Sequence, residues 1–124
     1  MRKSFCVLLL MLLIFSLCGC GGTEKIRENL TNAGYEVSDM AESKISSLND
    51  DVKYKYKGKG TIISGFHGTD KKGNTVFVIE FTDRDDMTIS YREIKAQLQD
   101  GQIIDSLGKA LIYGYEDGVK AALK

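Results

Sequence analysis

Side chains that perform chemistry are scarce in this chain of 124 residues, which holds one histidine, three cysteines, no tryptophan and no proline. Nucleophilic catalysis needs a Ser, Thr or Cys beside a base, and the only imidazole is His67. An enzyme would have to be built on His67 with the nearby Asp70, and no Gly-x-Ser-x-Gly frames a serine. The simpler reading of His67 is a partly exposed strand residue. Cys6, Cys18 and Cys20 all lie near the N-terminus, which leaves no disulfide framework and no thiolate metal site. A histidine-built zinc site fails by the same count. The chain is expected not to be an enzyme and to need neither metal nor cofactor.

Clustered carboxylates suit a hard cation, and Asp83, Asp85 and Asp86 form such a cluster. The rest of an EF-hand loop is missing, and acids at a strand-to-helix junction are what a helix N-terminus favours electrostatically. Gly58, Gly60 and Gly65 complete neither a dinucleotide fingerprint nor a phosphate loop. They read as turn and strand-entry residues.

Charge placement departs from background. The whole chain balances 17 basic against 17 acidic residues, which excludes the strongly basic signature of a nucleic-acid binder. Between Lys53 and Lys72, however, stand Lys53, Lys55, Lys57, Lys59, Lys71 and Lys72 against Asp70 alone, a net of plus five. The remainder from Cys20 onward is minus seven. If Lys53-Tyr54-Lys55-Tyr56-Lys57 is extended, its lysines line one face and its tyrosines the other. Two readings stand open. Lysines on an edge strand block edge-to-edge association. Alternatively Lys53, Tyr54, Lys55, Tyr56, Lys57 and Lys59 form a binding face for anionic lipid, a wall polymer or an acidic envelope protein.

The elements that must position these residues follow from periodicity. Thr23 can cap a helix from Glu24 to about Ala33, with Ile26, Leu30 and Ala33 on one face and Gly34 as the stop. Tyr35 to Ser38 alternates as a short strand. Met40, Ala41, Ile45 and Leu48 permit a short helix capped by Ser38 or Asp39, which Asn49-Asp50-Asp51 interrupts. The clearest hairpin joins 61–67 to 75–81 across a turn-rich stretch, with Phe77, Ile79 and Phe81 as the expected core face. A helix follows with Thr82 or Asp83 as cap, Met87, Tyr91, Ile94 and Leu98 on one face, and Gly101 at its end. Ile103-Ile104 and 110–113 add strands, and 116–123 closes as a helix. The sum is an α+β fold: a single two-layer domain, a mostly antiparallel sheet of four to five strands with helices packed on one face.

At the N-terminus, Arg2 and Lys3 precede thirteen uncharged residues, Phe5 to Leu17. As a helix these would rise about 20 Å, short of the roughly 30 Å hydrocarbon core, so the layout reads as a secretory signal and not as a span. Leu17-Cys18-Gly19-Cys20 resembles the lipobox of bacterial lipoproteins. That resemblance implies cleavage before Cys20, diacylglycerol on its sulfur, and attachment to the extracytoplasmic face of the cell membrane. Cys18 is a rival site, with Leu17 where a small residue belongs. The expected division is a signal at 1–19, the lipidated Cys20 with a tether to residue 23, and one domain at 24–124. Gly34-Tyr35-Glu36-Val37, the Phe77–Phe81 strand, Asp85-Asp86 and Leu111-Ile112-Tyr113-Gly114 are similar in order to small lipoproteins common in Gram-positive bacteria. That likeness implies a compact surface domain with no assigned chemistry. The expectation is a membrane-anchored binding module; a structural or immunity-type lipoprotein that blocks an envelope target is the alternative.

Overall fold

The computed structural model describes residues 22–124. The expected signal and the lipidation site Cys20 lie outside the described residues. Helix α1 spans Gly22–Asn32, β1 Glu36–Asp39 and α2 Glu42–Asp50. A π-helical turn, Asp51–Lys55, continues α2; then come β2 Ile62–Thr69, β3 Thr75–Phe81, α3 Arg84–Gln97, β4 Gln102–Leu107, β5 Ala110–Tyr115 and α4 Glu116–Ala122. Among the described residues no helix is long and apolar enough to cross a membrane.

The α+β class holds. The strands form one sheet in the order β1-β2-β3-β5-β4 with every neighbouring pair antiparallel. Helices cover both faces, however, and not one face as the alternation suggested. Ile26 and Leu30 of α1 with Val119 and Ala122 of α4 pack on Phe66, Val76, Val78 and Ile112. On the opposite face Val52, Met87 and the partly buried Ile45 and Leu48 pack on Ile62, Ile79, Phe81 and Leu111. A central strand buried on both faces shows no polar face, so the core takes in Val76 and Val78 as well as the expected Ile79 and Phe81. Val76 and Val78 are fully buried, whereas Phe77 is only partly so. Among the described residues both cores are built from residues between Ile26 and Leu123.

One irregularity in β2 matters for the site. Ile62 pairs with Phe81 but Ser64 pairs with Glu80, so Ile63 is an extra residue. This bulge swaps the parity of the strand. Ile62 therefore joins the α2–α3 face while Phe66 joins the α1–α4 face.

Helix α1 begins at Gly22, inside the expected tether, and stops where Gly34 takes a φ of +91° that other residues adopt only with strain. Its direction is fixed by its contacts with β2. Leu30 lies against Gly68, whereas Arg27 stacks on Phe66 at 4.3 Å and pairs with Asp39 at 2.7 Å. Moving toward the start of α1 thus moves toward the start of β2. Gly22 lies five residues beyond Arg27, about 7.5 Å of helix further in that direction.

Candidate functional site

The lysine-bearing segment is not extended. Asn49, Asp50 and Asp51 do not break α2; the chain widens there into the π turn, closed by the Tyr56 amide donating to the Asp51 carbonyl at 3.0 Å. The alternation of lysines against tyrosines fails with that geometry, and so does the edge-strand reading. Val52 points inward and is buried, Tyr54 projects outward with 69% of its surface exposed, and Tyr56 packs partly into the α2–α3 core. The sheet edge beside this turn is protected by another device. Asn49 gives its amide to the Ile62 carbonyl at 2.9 Å and accepts from the Ile62 amide at 2.8 Å, standing in for a missing strand.

From Lys53 to Gly60 the chain forms an arm whose far end is tied down by Asp86. This carboxylate, 1% exposed, accepts from the Lys59 amide at 2.8 Å, the Thr61 amide at 2.9 Å and the Thr61 hydroxyl at 2.7 Å. Burial works to raise its pKa, and the three hydrogen bonds outweigh burial and hold it below the ordinary value. Gly58 is required beneath it, since a Cβ there would lie 2.6 Å from Asp86 Oδ1. Lys57 sits at a φ of +66°, a left-handed conformation uncommon outside glycine. Its ammonium donates to the Tyr54 carbonyl at 3.2 Å.

The acidic cluster therefore divides by direction. Asp83 caps α3, accepting from the Asp85 amide at 2.9 Å, and pairs with the Lys59 ammonium at 3.1 Å. Those two contacts, the backbone one first, lower its pKa; the same ion pair raises that of Lys59. Asp86 turns the other way, into the core. Among the described residues no group of three His, Cys, Asp or Glu side chains comes together to hold a metal.

The six lysines counted together in the sequence do not share one patch. Lys59 precedes β2 and Lys71 and Lys72 follow it, so the strand separates them by its eight residues, on the order of 25 Å. Of the four on the arm, Lys55 lies 3.4 Å from Asp51 and Lys59 pairs with Asp83. Lys53 and Lys57 are the two arm lysines outside these pairs, and Lys53 lines a surface hollow together with Asp50 and Glu42.

His67 is a half-buried residue of β2, tilted against Phe77 with ring centroids 6.3 Å apart. Asp70 is occupied in the hairpin turn, accepting from the Lys72 and Asn74 amides at 2.9 Å each. The two are not brought together as a base and its orienting acid. Asn49 and Asp86 are the residues positioning the arm whose roles sequence reasoning missed. A capped helix start explained Asp86 without it, and an Asn-Asp-Asp run reads as a breaker. Comparison with protein families, with curated proteins and with solved structures gives no match for this chain.

Proposed function

We propose that this chain is a membrane-anchored lipoprotein of the extracytoplasmic face whose domain binds the anionic surface beside its anchor through the Lys53–Lys59 arm. The argument that carries the reading is placement: α1 runs back toward the Ile62 end of the sheet on one face, the arm lies at that end on the other face, and Lys71 and Lys72 follow β2 at its far end. A chain held through residues just before Gly22 would present the arm to the lipid. Attraction to a charged surface decays over a Debye length of about 8 Å at physiological salt, so position decides which lysines count. Tyr54, apolar in body and polar at its tip, suits the headgroup region. The lipobox resemblance of Leu17 to Cys20 supports the anchor.

Each lysine near such a surface contributes about 1 kcal/mol. Lys53→Gln with Lys57→Gln should therefore weaken about thirtyfold the engagement of phosphatidylglycerol by residues 22–124 held at the vesicle surface through an N-terminal histidine tag on a nickel-chelating lipid, while Lys71→Gln with Lys72→Gln leaves it unchanged. Vesicle sedimentation at low and high salt measures both, as the gain in association over vesicles that lack phosphatidylglycerol. Equal effects of the two pairs would mean diffuse charge and would refute the reading, as would absence of that gain at low salt.

A further inference from the structure

The π turn and α3 stand apart over the sheet and leave a cleft of about 300 Å³ between them. Its floor includes Phe77 and Tyr113, stacked with ring centroids 5.4 Å apart at 27°. Val52 and Tyr56 line one wall, Ser90 and Ile94 the other. Protein interiors hold few voids larger than a water molecule, and this volume falls at the lower end of ligand sites, which run from about 300 to 1,000 Å³.

Ser90 distinguishes the cleft from loose packing. Its residue is 1% exposed and its hydroxyl is buried with no hydrogen-bond partner among the described residues. A helical hydroxyl ordinarily returns to the carbonyl four residues back. Thr31 and Thr88 do this at 3.0 Å each; Ser90 does not. A buried polar atom without a partner is costly unless something else supplies one. Tyr56 and Tyr113 bring two phenols to the same lining. Burial, and then Tyr56, push the Tyr113 pKa up to about 12, which keeps it a neutral donor. Among the described residues no lysine, arginine or histidine lines the cleft, and the one charged residue there, Asp51, lies beside Lys55. An anionic guest would find no countercharge there.

We infer that this cleft binds a small neutral aromatic molecule carrying a hydroxyl, its ring against Phe77 and Tyr113 and its polar atom on Ser90. The site is independent of the lysine arm's surface contacts.

The test uses 2-naphthol as probe, with naphthalene and 2-naphthoate as controls, titrated into residues 22–124 and followed by fluorescence and by amide chemical shifts. Naphthol is expected to bind with shifts centred on the π turn and on the Ser90 turn of α3, naphthalene more weakly, and naphthoate not at all. Ser90→Ala should weaken naphthol about three- to tenfold, the range of one hydrogen bond, and leave naphthalene unchanged. Ser90→Leu should fill the cleft and abolish binding of both, with folding checked by a thermal melt. Lys53→Gln with Lys57→Gln should leave naphthol binding intact, which separates this site from the membrane-binding surface. Absence of naphthol binding, equal binding of naphthoate, or a naphthol-to-naphthalene ratio unchanged by Ser90→Ala would each overturn the assignment.

Discussion

Replacing Asp86 by Asn tests whether one buried carboxylate holds the arm. The change keeps the size of the side chain and removes the charge and one acceptor. Three donors converge on Asp86 at 2.7 to 2.9 Å. Hydrogen bonds to a charged group contribute roughly 1.5–3 kcal/mol each, and a buried donor left unpaired costs about 1–3 kcal/mol. An Asn oxygen in the place of Oδ2 can keep the two Thr61 bonds in weaker, neutral form, while its amide nitrogen faces the Lys59 amide, a donor it cannot serve. The expected loss is about 3 kcal/mol, or about 12 °C or more in Tm for a domain of this size. Urea melts provide the first assay, and hydrogen exchange at the Lys59 and Thr61 amides locates the loss. The pH dependence supplies a sharper check. Because Asp86 is held below its ordinary value near 3.8 in the fold, the unfolded chain binds its proton more readily. Its stabilisation is complete above that value and is lost as pH falls through the lower folded value. The gap between wild type and Asp86→Asn should therefore narrow as pH is lowered from about 7 to below 3. A variant within about 0.5 kcal/mol of wild type, or a gap indifferent to pH, would refute the account.

Two further outcomes follow from the same reasoning. Cys20→Ala should release the chain from membranes or leave a precursor unprocessed, whereas Cys18→Ala should not; fractionation with metabolic acyl labelling reads both, and intact lipidation of the Cys20 variant would sink the anchor assignment. Asn49→Ala strips both partners from Ile62 and should cost about 1–3 kcal/mol, with Asn49→Asp, which retains only the acceptor, falling between it and wild type in urea melts.

Local signals in the sequence were enough for the elements whose geometry is set by neighbours in the chain. Gly34 ends α1, the turn-rich 68–74 joins β2 to β3, and Asp83 caps α3. What could not be read is what depends on contacts between distant residues. The second helical layer was hidden because a strand buried on both faces carries no amphipathic alternation. The bulge at Ile63 leaves no trace except an extra β-branched residue. Asp86 and Asn49 act across 27, 25 and 13 residues of separation, beyond any local pattern. The cleft is likewise a gap between elements and has no motif.

The π turn explains why the arm and the cleft occur together. A turn of this kind holds one more residue than α-helical geometry, and such bulges are found mostly where a fold needs side chains sent in unusual directions. Here residues 52 and 56 fall on its inner side, one buried in the core and one against the cleft, while Tyr54 between them is turned to solvent. Straightening it would have to carry Asp51 and Val52 with it, yet Val52 is packed against the sheet, and Asn49, one turn earlier, is bonded to Ile62. At the other end Asp86 fixes Lys59 and Thr61. With both ends fixed, the intervening chain loses little further entropy when it meets a surface, since its ordering was completed on folding. Tyr56, carried on this restrained turn, lines the cleft opposite Ser90. The ordered arm and the cleft's wall are thus two consequences of one widened turn.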